Sequence, residues 1–433
     1  MVVGLSRRED YVQRANAALG GTLGALWIPE EINTVIERGE GPYLYDVDGR
    51  RYLDYLLGSG PVLLGHARPE ITQAVQEQVA KGLTYFAVNE PVVRLAERMI
   101  EIIPCAERIR FTSTGTEATF FAIRIARAYS GKMKILKFEG GFHGVHDQSL
   151  MSAWSTVPTH YPNPIPDSAG IPPQAADDVL VSRWNDVEMT ERLVAEHAHE
   201  LACVICEPLQ RALMSAPGFL KELRAITERH GVLLIFDEIV TGFRLALGGA
   251  QEKYDVTPDL ATFGKALSAG YPMAAIAGKL HVMEAADLAR RDRGEPLAVV
   301  AGTMSGNPVG AAAALASLDL LSQPGVYERL YYGAERIKDG IRELASERGV
   351  DVQVIGEGPL FQVLFSSEPV TDHPSYLRSD RVKARKLGLE CIRRGLLTTP
   401  GEKFYMSLMH DDQVIEDSIE IIADAFDAVL NDA

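Results

Sequence analysis

The stretch Gly231–Arg244, GVLLIFDEIVTGFR, decides the reading of this chain. Val232, Leu233, Leu234, Ile235 and Phe236 make an apolar run with the length of a buried strand, and the run ends on the carboxylate of Asp237. Lys265 follows 28 residues later, among small residues and glycines in ATFGKALSAGYP. In open α/β sheets ligands bind beyond the carboxyl ends of the strands, so an acid at this position faces a cleft. A carboxylate paired with a loop lysine suits pyridoxal phosphate: the lysine forms the Schiff base and the acid keeps the pyridine nitrogen protonated. A strand-ending acid and a surface lysine without such a role fit the same two segments. Three further segments weigh against that plainer reading.

In Phe111–Gly131, FTSTGTEATFFAIRIARAYSG, the residues Ser113, Thr114, Gly115 and Thr116 precede apolar residues at helical spacing. Small hydroxyl residues and a glycine at a helix start make an anion site, where free N–H groups and the helix dipole meet a phosphate. An ordinary N-cap with Glu117 in the first turn has the same signature. In Phe138–Asp147, FEGGFHGVHD, two glycines let a loop approach a ligand closely, and Phe142 with His143 supplies flat rings for stacking. A strand-to-loop turn with a buried Phe is the alternative. A metal site on His143 and His146 lacks a third ligand at a supporting spacing, so no metal is expected. Ala301–Pro308, AGTMSGNP, is rich in glycine and hydroxyls and runs into an alanine-rich helix, which suits either a second phosphate contact or a plain helix cap.

Taken in order, these segments resemble the fold-type I pyridoxal-phosphate enzymes, and among them the class III aminotransferases, close to the glutamate-1-semialdehyde 2,1-aminomutase branch. The likeness runs from GPYLYDVDGRRYLDY at Gly41–Tyr55 through LLGHARPEI, STGTEAT, FEGGFHG, CEPL, FDEIVTGFR, FGKALSAG and GTMSGNP. It implies that Lys265 is the Schiff-base lysine and proton shuttle, that Asp237 pairs with the pyridinium nitrogen, and that Ile239 packs on one ring face. Phe142 would stack on the other face beside His143, where the aminomutase motif usually has tyrosine. Thr114, Gly115 and Thr116 would hold the phosphate, and Glu207 would lie near the O3′ edge. Thr303 would reach the phosphate of the neighbouring subunit's cofactor, which implies a homodimer with shared active sites.

Two departures from the aminomutase branch bear on substrate. That branch usually carries a carboxylate-binding arginine in an N-terminal NSPVR-like segment, whereas residues 20–35 read GGTLGALWIPEEINTV, with Leu23, Leu26 and Trp27 and no arginine. In LGSGP, Ser59 stands where tryptophan is usual. Both favour a bulkier, less charged substrate bordered by Trp27, Ser59 and Tyr85. A desolvated carboxylate needs a cation, and Arg211 in CEPLQRALM is the nearest candidate, although a surface arginine after a strand fits equally. Glu402, in PGEKFYMS, aligns with a residue of the aminomutase branch. The expected activity is transfer of an amino group from a hydrophobic amine or β-amino acid to a keto acid or aldehyde. The alternative is the aminomutase, in which donor and acceptor are one molecule. A catalytically silent binding protein is disfavoured by the intact Lys265 and Asp237, and a dehydrogenase by the lack of G-x-G-x-x-G after a strand.

At 433 residues the chain exceeds one typical core. Strand-like runs (RIRF, MKILKF, ACVICE, GVLLIFDE, MAAIAG) alternate with amphipathic helices, which predicts an α/β fold with a mostly parallel central sheet flanked by helices. The expected division is an N-terminal segment (1–56) joining the small domain, a large cofactor-binding domain (57–320) and a small α+β C-terminal domain (321–433). The small domain would take helices from VYERLYYGAERIKDGIRELASERG and from Ile419–Leu430, and strands from GPLFQVLFS and YMSLMH. The proline-rich stretch 152–178 predicts an extended loop, over the active-site mouth or on the surface. Lys and Arg number 43 against 59 Asp and Glu, a net charge of −16 that argues against nucleic acid as a partner. Cys203 and Cys206 lie in an apolar run and read as core residues rather than a redox pair. No signal-like segment opens the chain and no apolar run has membrane-spanning length, so a cytoplasmic enzyme is expected.

Overall fold

The apolar runs of the middle of the chain become strands of one seven-stranded sheet. In the computed structural model, which describes residues 5–19, 28–157 and 159–431, its order is Arg108–Thr112, Ala274–Gly278, Leu260–Phe263, Leu233–Glu238, Leu201–Cys206, Lys134–Phe138 and Val179–Ser182. The last five strands pair in parallel, and Ala274–Gly278 runs antiparallel to both of its neighbours. Every residue of Leu201–Cys206 and Leu233–Glu238 is buried, the pattern of strands covered on both faces. Cys203 and Cys206 are free buried thiols in that core, and burial pushes the Cys203 thiol up to about 12. Val179–Ser182 and Leu260–Phe263 escape the sequence reading because four residues are too few for a periodic signal. Ala274–Gly278 is antiparallel because the short turn from Phe263 has no room for a crossover helix.

The chain divides into two compact units, Glu70–Pro324 with Val370–Leu377, and Met1–Pro69 with Gly325–Pro369 and Arg378–Ala433. This differs from the boundaries expected at 56/57 and 320/321. Residues 57–69 stay with the N-terminal strands, where His66 bridges Gly41 and its Nε2 lies 2.7 Å from Asp54 Oδ2. Residues 321–324 complete the end of the helix Pro308–Leu321. Val370–Leu377 returns to the large unit, held by an Arg183–Asp372 ion pair and by His373 Nε2, 2.8 Å from the Ser155 carbonyl.

The smaller unit carries two sheets. One joins Ile36–Glu40, Tyr43–Asp46, Arg51–Asp54 and Leu396–Leu397; the other joins Val352–Ile355, Leu360–Phe365 and Lys403–Tyr405. Helices Val326–Glu347, Arg381–Arg393 and Asp412–Asn431 cover a core that includes Tyr55, Ile337, Ile341, Phe361 and Phe426. Of the expected strand YMSLMH only Tyr405 is extended; beyond it the chain turns, and Ser407 Oγ meets His410 Nδ1 at 2.8 Å.

The described residues of 152–178 are irregular apart from one 3₁₀ turn at Pro173–Asp178. It is tethered rather than a surface linker: Ser152, Ala153, Ser155 and Thr159 are buried. Tyr161 donates its hydroxyl to the Glu139 carboxylate, and the Thr159 N–H donates to Glu139 Oε1 at 3.2 Å.

Candidate active site

Asp237 ends its strand as the sequence predicts, and the fold surrounds its carboxylate with donors. His143 Nδ1 lies 2.8 Å from Oδ2, while Oδ1 accepts from the Thr262 hydroxyl at 3.1 Å and from the Ile239 N–H at 3.2 Å. Thr262 is the direct register partner of Asp237 on the adjacent parallel strand. That strand then delivers Lys265 three residues later, into a 3₁₀ turn Lys265–Ser268 that Lys265 enters with φ 44°. The turn is anchored from behind, because Ser317 in the helix Pro308–Leu321 donates to the Ala266 carbonyl at 3.1 Å. The acid and the lysine therefore occupy the carboxyl ends of neighbouring strands, the position at which α/β sheets bind ligands.

Ile239 joins this pair to the hydroxyl-rich helix start. A Cβ on Gly115 would stand 3.1 Å from Ile239 Cδ1, and one on Gly264 would stand 3.2 Å from the same atom. Glycine at both positions lets Ile239 lie between the helix and the lysine turn. Gly115 opens the helix Gly115–Ser130, and Thr114 caps it: its hydroxyl accepts from the Glu117 N–H at 3.2 Å, and the Glu117 carboxylate accepts from the N–H groups of Ser113 and Thr114. The cap reading thus holds for Thr114, whose hydroxyl is committed to the helix. The N–H groups of Gly115 and Thr116 and the Thr116 hydroxyl donate to no acceptor among the described residues, which leaves at the helix start the donor set a phosphate needs.

The FEGGFHG loop lies against the same helix. Thr119 donates to the His143 carbonyl at 2.6 Å, and a Cβ on Gly144, where φ is 94°, would come within 2.7 Å of the Thr116 hydroxyl. The Phe142 N–H donates to Glu207 Oε2 at 3.0 Å, which brings the CEPL segment to the site. The Phe142 ring stacks on Trp154 with centroids 5.2 Å apart, and the Arg211 guanidinium carbon lies 5.7 Å from its centre. Trp154 connects the proline-rich loop to the site.

Lys137 carries this loop and was not foreseen. Its fully buried ammonium donates to the carbonyls of Gly141 and Ser149, each at 2.9 Å, and to that of Met151. Burial pulls its pKa down to about 8. The available signal was a charge inside the apolar run MKILKF, since a lysine in a buried strand must find acceptors. His146 lies against the Phe120 ring, and burial pulls its pKa down to about 4. Among the described residues no group of His, Cys, Asp or Glu is arranged to hold a metal ion.

Among the described residues of the larger unit, Tyr85 and Thr303 share no hydrogen bond with this cluster. Tyr85 donates its hydroxyl to the Lys81 carbonyl at 2.7 Å. Thr303 is exposed in the loop before the helix Pro308–Leu321. Ser59, exposed with φ 68°, and Glu402 belong to the smaller unit. Trp27, with Leu23 and Leu26, lies outside the described residues.

A buried carboxylate with three donors, a lysine at the neighbouring strand end, an apolar side chain against two glycines and a helix start with N–H groups unpaired among the described residues together fit pyridoxal phosphate. The comparisons agree. The family profile for aminotransferase class-III matches residues 28–426, and the chain belongs to this family of pyridoxal-phosphate enzymes. It is 39% identical over 396 residues to a glutamate-1-semialdehyde 2,1-aminomutase from Desulforudis audaxviator, which covers 90% of this chain and 89% of that protein. Among solved structures it is similar to an omega-transaminase from Sphaerobacter thermophilus, with a TM-score of 0.92, 33% identity and 98% of each chain covered. A β-phenylalanine aminotransferase from Variovorax paradoxus superposes with a TM-score of 0.83 at 29% identity, covering 97% of this chain and 94% of that one.

Proposed function

We propose that the chain is a transaminase that moves an amino group from a hydrophobic amine or β-amino acid to a keto acid or aldehyde. The observation that carries this reading is the segment 20–35, which contains no arginine or lysine where the aminomutase branch is expected to keep its carboxylate-binding arginine. The similarity to the Sphaerobacter omega-transaminase supports it. A second reading, glutamate-1-semialdehyde 2,1-aminomutase, draws the stronger support from the curated relatives, which carry that description at 35–40% identity.

In either reading the residues divide the work in the same way. Lys265 would anchor the cofactor aldehyde and move a proton at the substrate carbon. Asp237, held by His143 and Thr262, would keep the pyridine nitrogen protonated. Ile239 and Phe142 would flank the ring, and the helix start at Gly115 and Thr116 would hold the phosphate. When bound, the cofactor supplies the electron sink for a carbanion next to the amino nitrogen. Thr303 belongs to the partner's site in a homodimer. That assignment is supported by the apolar surface around it, where Phe86 is 82% and Val88 86% exposed and Thr84 Oγ1 lies 3.7 Å from Met304 Sδ.

The test is a donor panel followed through the cofactor's absorption: aromatic amines, β-amino acids and glutamate-1-semialdehyde, each with and without pyruvate. Faster conversion of the hydrophobic donors, with product formed only when pyruvate is present, supports the transaminase. Conversion of glutamate-1-semialdehyde to 5-aminolevulinate without any keto acid, faster than all other donors, replaces it with the second reading.

A further inference from the structure

The loop that carries Phe142 and His143 closes on one ammonium group. Lys137 lies in the strand Lys134–Phe138 and is fully buried, and its Nζ donates to the carbonyls of Gly141, Ser149 and Met151. A lysine has three N–H donors and no acceptor, so all three donors are spent on this loop. None goes to a carboxylate among the described residues. A buried charge is costly unless other groups replace its lost water. Three carbonyls converging on one cation do so, in the manner of the carbonyl rings that take up dehydrated potassium ions.

The ammonium ties the two ends of the loop together, with Gly141 at one end and Ser149 and Met151 at the other. Between those ends lie the two contacts that reach the candidate reaction centre: the Phe142 N–H on Glu207 at 3.0 Å and His143 on Asp237 at 2.8 Å. Gly140 and Gly144, with φ 82° and 94°, bracket Phe142 and His143. Glycines give the backbone little stiffness of its own. The direction in which His143 points therefore depends on what holds the loop ends, and Lys137 holds both.

We propose that Lys137 is a positioning residue: its ammonium fills a three-carbonyl cation site and thereby sets the loop that aims His143 at Asp237. The inference rests on the cofactor-binding reading above and deepens it, since Lys137 acts on the acid of that site through His143. Lysine suits the place better than arginine, because a compact point charge fits between three converging oxygens and a planar fork does not.

Lys137→Ala tests the cation site, with ethylammonium as the probe, a free cation with the same head group. The apoprotein is used, so that no cofactor aldehyde can react with the amine. Ethylammonium chloride should raise the melting temperature of Lys137→Ala by several degrees. Tetramethylammonium chloride at equal ionic strength should not, because it has no N–H to give, and the parent should respond alike to both salts. A Lys137→Ala chain that folds only in ethylammonium supports the site equally. Lys137→Gln, which keeps N–H donors without the charge, tests the positioning. It should weaken cofactor retention about tenfold in equilibrium dialysis. In a His143→Leu background the same change should cost less than about threefold, because the group through which Lys137 acts is gone. Lys137→Arg, which keeps the charge, is run beside it in both backgrounds and should show the same pattern. Equal responses of Lys137→Ala to the two salts, including failure to fold in either, would overturn the cation site. Equal losses of retention in the two backgrounds would overturn the positioning role and make Lys137 a structural residue. The expected losses and rescue without any amino transfer would leave this inference standing and defeat the functional reading instead.

Discussion

His143 Nδ1 and Asp237 Oδ2 lie 2.8 Å apart, in side chains 1% and 4% exposed, on residues 94 positions apart in the chain. An ionised carboxylate offers only acceptors, so the imidazole must present Nδ1–H to it. The contact orients the carboxylate whose other oxygen is held by Thr262 and the Ile239 amide. Asp237→Asn removes the charge and keeps the shape. The variant should retain cofactor but lose about 10²–10³-fold in kcat, the size of effect given by one oriented electrostatic group in a dry site. Steady-state rates alongside cofactor stoichiometry test this, and near-parental kcat would remove Asp237 from its role.

Lys265 is expected to be the sole covalent anchor. Lys265→Ala should abolish turnover while the apoprotein melts within a few degrees of the parent, because the lysine lies on a turn rather than in the core. Borohydride reduction of the parent followed by peptide mass mapping should find the label on Lys265; a label on any other lysine refutes the assignment.

Thr114 and Thr116 should separate cleanly. Thr114→Val removes a helix cap and should lower apoprotein stability by about 1 kcal/mol. Thr116→Val removes no bond within the fold and should leave apoprotein stability unchanged while weakening cofactor retention about tenfold. Urea melts of the apoproteins and equilibrium dialysis of the cofactor measure the two effects. Equal retention in the parent and Thr116→Val would take that hydroxyl out of the phosphate site.

The shared-site homodimer predicts complementation. Lys265→Ala and a Thr303 variant, each inactive alone, should regain part of the activity when their subunits are mixed, since some dimers then carry both lesions around one site and leave the other intact. Sedimentation of the mixture reports the assembly. Full activity in a monomer at high dilution would exclude sharing.

His410 gives a pH signature in the smaller unit. It is buried against the Tyr55 ring, its Nδ1 accepts from Ser407, and burial pulls its pKa down to about 4. The unfolded chain binds this proton near the ordinary histidine value of about 6.5. The stability this group contributes is therefore complete above that value and is lost as pH falls from there toward about 4. At pH 5 the loss should be about 2 kcal/mol. Urea melts of the parent and His410→Gln at pH 7 and pH 5 measure it: the parent should lose more than the variant. Identical losses would mean that His410 is protonated equally in both states.

Much of the site was legible before the fold. The run into Asp237, the glycine-flanked Lys265 and the glycine-and-hydroxyl segments are local signals, because a buried strand, a tight turn and a helix start each impose a composition on a few consecutive residues. The division of labour within those segments was not legible. That the Thr114 hydroxyl caps the helix while the Thr116 hydroxyl makes no bond within it depends on where the first helical turn closes, and either threonine fits the sequence equally well.

Consecutive residues alone were enough to read an acid at a strand end, a lysine in a turn and a phosphate-type helix start in one order along the chain. Which groups support them follows from packing between distant segments. Thr262 holds Asp237 because two parallel strands are in one particular register, and Lys137 carries the Phe142 loop because its strand ends where three carbonyls converge. His143 meets Asp237 across 94 residues. Such contacts leave no mark on neighbouring residues, since the hydrogen-bond partner of a buried polar group is chosen by the packing of distant segments and not by local propensity.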